Sequence, residues 1–351
     1  MDKFVCVRIV QANRLDLRLF QFDYDLTFAV FFLNVDRTVY GRYGSRSSNE
    51  EAESDISLEG FREAMRGSLE LHAGYPGNKK SLAGKQPKKV PQKTPDEFPS
   101  LKGKFGFNLD YPGKVAKSCM HCHQIRDAER LVFRKAGKPM SDQMLLPFPM
   151  PDTIGLTMDA KQRATVVAVA EHSPAASAGF QAGDRILDLN GEAIISTADI
   201  QWVLHHSKDI DRWAATIQRQ KKVIELSVDL PDRWRRSTDI DWRVSTWELR
   251  RMATGGLRMK ALSTAEKTKA GIEPESLALA AAHVGQYGAH AAAKRAGFRA
   301  GDVLVQVGEF KNAMSESQLL AEIMRQRKPG DKLPTIVLRG GKRLRLMLPT
   351  Q

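Results

Sequence analysis

The sequence predicts an α+β multidomain protein, and three observations support this. The chain has 351 residues, which is more than a single hydrophobic core ordinarily organises. Short β-branched apolar runs alternate with stretches that have one apolar face at helical spacing. One residue pattern occurs twice in the second half. Hydrophobic residues make up 42% and charged residues 27% of the chain, a balance typical of globular proteins.

The N-terminal residues predict strands followed by a helix. Residues 4–10 are apolar and mostly β-branched, which predicts a buried strand with Cys6 as an inert core residue. A second strand is expected over residues 27–33, and a third over residues 38–40 completes a hairpin. Residues 54–71 have apolar side chains three or four positions apart, which predicts a helix.

Strand, loop, hairpin and helix in this order resemble the back half of a thioredoxin fold. The resemblance covers residues 1–75, and the hairpin from Phe31 to Gly41 carries it. The segment contains Cys6 but no C-x-x-C pair, and no proline stands just before Thr27, where thioredoxins place a cis-proline. We therefore predict a thioredoxin-like fragment without thiol–disulfide chemistry.

Residues 76–108 predict a linker, because they are rich in Lys, Pro and Gly and have no hydrophobic period. Much of the net charge of +13 lies in this stretch. It lacks a folded basic face with stacking aromatic side chains, so we predict a solvated tether and no nucleic-acid binding. No apolar run approaches the roughly 20 residues that span a bilayer, so no transmembrane segment is expected.

The stretch Cys119-Met120-His121-Cys122-His123 is the candidate cofactor site, within a segment that covers residues 109–150. C-x-x-C-H is the spacing of c-type haem attachment, in which Cys119 and Cys122 bind the haem and His123 ligates its iron. Two alternatives stay open: a zinc site in which a histidine supplements the thiols, and a redox disulfide. The chain has no second C-x-x-C to complete a closed zinc site.

Residues 177–187 and 295–305 share the pattern A-G-F-x-A-G-D followed by an apolar strand. In each copy a short helix is expected to end at the first glycine, and Gly-Asp turns the chain into the strand. The pattern resembles the core of bacterial PDZ domains of the HtrA type. It implies two PDZ-like, partly open β-barrels with two helices each, at residues 151–232 and 238–351.

PDZ domains bind peptide C-termini by adding a strand to a sheet edge, beside a loop whose N–H groups hold the carboxylate. The resemblance places this loop at Ile154, Gly155, Leu156 and Thr157 in the first domain and at Gly256, Leu257, Arg258 and Met259 in the second. The helices that face the grooves are expected at residues 197–205 and 316–324. His205 and His206 are predicted to be a surface pair.

The sequence does not indicate an enzyme, since the G-x-S-x-G and G-N-S-G-G stretches of serine proteases are absent. The first expectation is an extracytoplasmic PDZ protein that binds peptide C-termini or partner proteins and has haem c for redox or electron transfer. The alternative is a non-enzymatic PDZ adaptor whose Cys/His cluster is a structural metal or disulfide site. Haem c is attached outside the cytoplasm, whereas the first residues lack a signal peptide. A periplasmic location therefore assumes a signal outside this sequence, and without one we expect a cytoplasmic location.

Overall fold

The computed structural model describes residues 3–48 and 54–351. The chain divides into two compact units, which we call unit 1 (Met1–Ala128 with Pro147–Arg235) and unit 2 (Glu129–Leu146 with Arg236–Gln351). Within the described ranges, every helix is too short or too polar to cross a lipid bilayer.

The helices and strands follow one another along the chain as short elements joined by turns. The helices are α1 (Leu58–Ala73), α2 (Val115–Ser118), α3 (His123–Lys135), α4 (Asp142–Leu145), α5 (Pro174–Ala178), α6 (Thr197–His206), α7 (Thr246–Thr254), α8 (Thr264–Lys269), α9 (Ala292–Arg295) and α10 (Glu316–Gln326). The strands are β1 (Val30–Leu33), β2 (Val39–Tyr43), β3 (Leu156–Met158), β4 (Val166–Val169), β5 (Arg185–Leu189), β6 (Glu192–Ala193), β7 (Asp211–Arg219), β8 (Lys222–Leu230), β9 (Leu257–Ala261), β10 (Leu279–Val284), β11 (Val303–Val307), β12 (Lys332–Arg339) and β13 (Lys342–Pro349).

In the N-terminal part of unit 1, β1 and β2 form an antiparallel hairpin, and α1 packs against β2. The predicted hairpin and helix are therefore present. The predicted strand at residues 4–10 is wrong, because this stretch has no strand, and Val5 and Val7 are exposed. Cys6 is also exposed and is not a core residue. In the described residues β1 and β2 make a sheet of two strands, which leaves residues 4–10 without a ladder to join.

Residues 79–101, which the composition predicts to be a solvated tether, pack into unit 1. They form 3-10 turns at Lys79–Leu82 and Pro95–Glu97. Leu82, Phe98 and even the charged Lys85 are buried. The apolar residues that anchor this stretch are few and widely spaced among lysines and prolines, so they produce no period that a sequence pattern could reveal.

The rest of unit 1 has two antiparallel sheets, β3–β4 and β6–β5–β7–β8. Their core contains Ile154 and Leu156 beside Ile200, Val203 and Leu204 of α6. Unit 2 has one antiparallel sheet in the order β13–β12–β11–β10–β9. None of these sheets closes on itself, so the predicted partly open barrels are open sheets covered by helices.

Both copies of the repeated pattern make the same ionic contact. In unit 1 the buried carboxylate of Asp184 accepts hydrogen bonds from Nε and Nη2 of Arg219 at 2.7 and 2.8 Å. In unit 2 Asp302 accepts the same two bonds from Arg339 at 2.6 and 2.8 Å. Each arginine also donates to the carbonyl of the glycine at the end of the short helix. The aspartate of the pattern therefore ties the turn to the closing hairpin in both copies.

A buried ion pair between Lys85 and Asp199 gives the first prediction. The ammonium Nζ lies 2.7 Å from the carboxylate, and burial lowers the pKa of Lys85 against the attraction of Asp199. Lys85→Met should lower the free energy of unfolding by about 3 kcal/mol, because Asp199 loses its counter-charge in a buried site. The matched control is Lys89→Met at an exposed position. Urea unfolding followed by tryptophan fluorescence measures both, and equal unfolding midpoints would contradict a structural role for Lys85.

Candidate functional site

The first candidate site is the space between β3 and α6, which we call groove 1. One edge of β3 pairs with β4, and among the described residues this sheet has no other strand. The second edge of β3 thus has no strand beside it in the described part of the chain. Asp159 and Ala160, which follow β3, line a cavity of ≈ 10 Å³ together with residues 196–198 at the start of α6. Tyr43–Ser45 and Gly60 line the same cavity, so the N-terminal part meets the end of β3 and the start of the helix there.

The predicted loop residues of the first domain lie together where the chain enters β3. Pro151–Ile154 is a 3-10 turn that ends at Gly155, whose φ of 89° is left-handed. A Cβ on Gly155 would lie 2.2 Å from the Cβ and Oγ atoms of Ser173, so a larger residue does not fit. Leu156 is buried and Thr157 is exposed. The chain therefore turns sharply into β3, and the Gly155 N–H closes this turn by donating to the Asp152 carbonyl at 2.8 Å.

One side of α6 is covered by the N-terminal part of unit 1. Trp202 Nε1 donates to the carbonyl of Gly84 at 2.9 Å, and the guanidinium of Arg42 lies 3.6 Å above the indole ring. Burial lowers the pKa of Arg42 to about 10 and that of His206 to about 4. This side of the helix is therefore packed and partly charged, and it is not open to a ligand.

A second side of α6 contacts Phe148. The Phe148 N–H donates to His205 Nδ1 at 3.3 Å, and Gln201 Nε2 donates to the Phe148 carbonyl at 3.1 Å. The phenyl and imidazole rings stack with centroids 4.0 Å apart. The prediction of a surface histidine pair is therefore wrong, because His205 packs on Phe148 and His206 Nδ1 lies 2.9 Å from the Trp202 carbonyl.

The second candidate site, groove 2, lies between β9 and α10. The predicted residues Gly256, Leu257, Arg258 and Met259 lie at the entry to β9 and along it. Gly256 is left-handed, with φ of 100°, and a Cβ there would lie 2.0 Å from the His290 carbonyl oxygen. β9 is the last strand of its sheet, so its outer edge has no strand beside it in the described part of the chain.

The outer edge of β9 is already bonded within unit 2. The Met259 N–H donates to Glu316 Oε1 at 2.6 Å. Glu316 Oε2 also lies 2.5 Å from Nη2 of Arg250 on α7, and the two side chains are 4% and 1% exposed. Burial raises the pKa of Glu316, whereas the bonds from Arg250 and the Met259 N–H oppose this rise. The protein thus satisfies in groove 2 a backbone donor that a peptide strand would otherwise use.

Sequence reasoning missed Phe148, Glu316 and Arg250. A glutamate in the first turn of a helix is usually explained by the helix dipole, so Glu316 gave no separate signal. Arg250 is distant in sequence from its partner. Phe148 stands between Pro147 and Pro149, and this proline-flanked aromatic residue was the one local signal that the stretch has a fixed conformation.

The Cys119–His123 stretch connects α2 to α3. Cys119 follows α2, and His123 is the first residue of α3. The buried side chain of Asn13 holds the backbone on both sides of Cys119, since its Nδ2 donates to the Ser118 carbonyl at 2.9 Å and its Oδ1 accepts from the Met120 N–H at 2.8 Å. This loop therefore has a defined conformation.

The donor set of this stretch is compatible with covalent haem. Both thiols are free, and burial, followed by the neighbouring Cys119, raises the pKa of Cys122. His123 Nδ1 lies 3.4 Å from Asp127 Oδ2, the kind of carboxylate contact that orients a metal-binding imidazole and leaves Nε2 for the metal. Among the described residues, no group of three or more His, Cys, Asp and Glu side chains is arranged to hold a metal ion.

One family of known proteins matches the region of groove 1. Residues 153–230 match the PDZ domain family. The PDZ match includes the Gly155 loop, β3 and α6, and it covers less than half of the chain. No curated protein matches the chain.

Solved structures with similarity to the chain include an HtrA3 PDZ domain bound to a phage-derived ligand. The two sequences are 21% identical. The match covers 22% of this chain and 81% of the HtrA3 chain, with a TM-score of 0.19. The HtrA-type protease AlgW with a tripeptide is 16% identical, with coverage of 40% and 52% and a TM-score of 0.23. An AlgW variant with a decapeptide is 15% identical, with coverage of 53% of both chains and a TM-score of 0.27. The chain spans about half the length of the two AlgW proteases.

The pair of Glu316 and Arg250 gives the second prediction. Glu316→Ala leaves the Arg250 guanidinium buried without its carboxylate and also removes the acceptor of the Met259 N–H. The free energy of unfolding should fall by about 3–5 kcal/mol. The control is Asp229→Ala, since Asp229 and its partner Arg212 are 61% and 73% exposed, and it should leave the melting temperature unchanged. Melting curves by circular dichroism test both variants. A Glu316→Ala curve that overlays the control would show that the edge of β9 is not sealed by this pair.

Proposed function

We propose that the PDZ domain at residues 153–230 binds the C-termini of peptides in groove 1. The observation that carries this proposal is the second edge of β3, which begins at the left-handed Gly155 loop and faces α6. An extended peptide adds to such an edge through its own N–H and C=O groups. Its terminal carboxylate would be held by backbone N–H groups at the loop, and its last side chain would pack on the apolar residues beneath.

Groove 2 is not assigned the same role. The Asp302–Arg339 contact supports the proposal that residues 238–351 form a second copy of the same domain. In that copy, however, the Met259 N–H at the edge of β9 donates to Glu316 inside unit 2. A peptide would have to replace a bond that is supported by a buried ion pair, and this costs several kcal/mol. We therefore assign peptide binding to groove 1 and a structural role to groove 2.

The third prediction tests the carboxylate. The probe is the phage-derived peptide FGRWV of the HtrA3 PDZ structure, titrated into the full chain by isothermal calorimetry with either a free or an amidated C-terminus. Amidation removes the charge-assisted bonds to the loop, so the affinity should fall at least about tenfold. Equal affinities of the two forms would exclude recognition of a C-terminus.

The same titration locates the site. Gly155→Asp should abolish binding, because the new side chain would clash with Ser173. The matched control is Gly191→Asp, at a left-handed glycine of the same domain where a Cβ meets no atom within 4 Å. Both variants are first compared by melting temperature. Wild-type affinity in a folded Gly155→Asp variant would place the peptide elsewhere.

We also propose that the Cys119–His123 stretch binds c-type haem, which a second observation favours. His123 is placed with Nδ1 beside Asp127 and both thiols are free. Cys119 and Cys122 would hold the group, Asn13 would fix the loop between them, and Asp127 would orient the imidazole. A bound haem supplies one-electron chemistry. Because haem is attached by this motif outside the cytoplasmic membrane, the proposal includes an extracytoplasmic location.

The fourth prediction concerns this haem. The chain, expressed together with haem-attachment machinery, should give a Soret band that remains with the protein after acid–acetone extraction. Cys119→Ala with Cys122→Ala should remove the band, since each thiol forms one of the two thioether bonds and the double variant can form neither. Cys6→Ala is the matched control, because Cys6 is an exposed cysteine outside the motif, and it should keep the band. An unchanged spectrum of the double variant would refute covalent attachment at this motif.

A further inference from the structure

We propose that Phe148 is an internal ligand of groove 1, which occupies the place of a peptide's last side chain and must leave before a peptide binds. This inference rests on the proposed function. It adds that groove 1 is closed in the free protein. The affinity of groove 1 for a peptide then depends on how readily Phe148 leaves the groove.

The side of α6 that Phe148 covers is the one that faces the binding loop. Ile200, Val203 and Leu204 point into the core, and Trp202 lies under the N-terminal part. Gln201 and His205, four positions apart, therefore share the remaining face of the helix. The turn Pro151–Ile154, which leads into β3, also contacts α6. Phe148 and the turn that leads into the binding loop thus both contact the groove helix.

Phe148 covers the side of α6 against which a bound peptide would pack. Its N–H is bonded to His205, its carbonyl accepts from Gln201, and its ring stacks on the imidazole. The residue is 5% exposed. A peptide that places an apolar side chain against this face of α6 cannot do so while the ring is present, because two side chains cannot fill one volume.

The local chain strains the backbone at Phe148. Pro147, Pro149 and Pro151 have no N–H groups, so the segment cannot extend a β-ladder with β3. The φ of Phe148 is 46°, in the left-handed region, which is strained for a bulky side chain. Release of the segment would relieve this strain. Its contacts with Gln201 and His205 are joined by the guanidinium of Arg126, which lies 5.9 Å from the ring centroid. The backbone strain at Phe148 opposes these contacts.

Groove 2 shows the difference between a releasable and a permanent closure. There the edge is sealed by Glu316, which is paired with the buried Arg250. Opening groove 2 would separate two charges that are almost fully buried. Opening groove 1 moves an aromatic residue whose N–H and C=O can bond to water once exposed. The first closure can thus be displaced by a ligand, whereas the second cannot.

The test compares Phe148→Ala with Phe148→Tyr in the full chain, with FGRWV as the probe and calorimetry as the measurement. Phe148→Ala empties the site and should bind the peptide about tenfold more tightly, because no fraction of the protein stays closed. Phe148→Tyr keeps an aromatic ring and should bind within about threefold of the wild type. Equal or weaker binding by a folded Phe148→Ala variant would overturn the inference.

This outcome is distinct from failure of the proposed function. If groove 1 is not a peptide site, neither the wild type nor Phe148→Ala binds FGRWV, and Gly155→Asp changes nothing in either background. If groove 1 binds peptides but Phe148 is only a wall of the site, the wild type binds, Gly155→Asp abolishes binding and Phe148→Ala weakens it.

A second measurement needs no variant. In residues 147–151 only Phe148 and Met150 have an amide proton, because the other three residues are prolines. Hydrogen exchange of this segment therefore reports on the bond from Phe148 to His205. Saturating FGRWV should accelerate exchange here while it slows exchange in β3. Unchanged or slower exchange in the segment at saturation would show that the peptide and Phe148 coexist, which contradicts the inference.

Discussion

The carboxylate of Asp199 is the group on which the organisation of unit 1 depends. It accepts hydrogen bonds from the backbone N–H groups of Arg42 and Ile195, each at 3.1 Å, and it pairs with Lys85 at 2.7 Å. These donors come from β2, from the residues before α6 and from the stretch that follows α1. A carboxylate that is 1% exposed is stable only while such partners remain. The N-terminal part thus positions α6, the helix that forms one wall of groove 1.

The two copies of the repeat differ at one decisive position. Serine caps both groove helices, and the next residue is Thr197 in α6 but Glu316 in α10. A threonine side chain is too short and lacks the charge to bridge to the strand as glutamate does. Glu316 reaches the Met259 N–H and needs Arg250 to balance its buried charge. One residue at the start of a helix therefore decides whether the adjacent strand edge is sealed by an ion pair.

Local pattern was sufficient for those parts of the fold whose cause is local. The glycines that end the two short helices follow from residue types at fixed spacing, and the structure has Gly179 and Gly297 left-handed at those positions. Cys6 and Lys85 were predicted wrongly because their environment is set by distant residues. A strand needs a partner that residues 4–10 do not have, whereas a lysine in a polar stretch is buried here because Asp199 lies opposite. Phe148 is of the same kind, since nothing near it in sequence indicates His205.

The contacts on the two sides of α6 differ in charge, which bears on the proposed opening of groove 1 at Phe148. Two sides of the helix are covered from within unit 1. On one side Lys85 contacts Asp199, and Gly84 and Arg42 contact Trp202. On the other side Phe148 contacts His205. Separating Lys85 from Asp199 would leave two charges in a buried site, at a cost of about 3 kcal/mol or more. Phe148 has no charge of its own, so moving it leaves no charge without its counter-ion. It breaks two hydrogen bonds, each worth about 1 kcal/mol, and takes the ring from His205 and from the Arg126 guanidinium. A peptide bound along β3 as proposed would therefore reach α6 by displacing Phe148, while Asp199 keeps the helix in place.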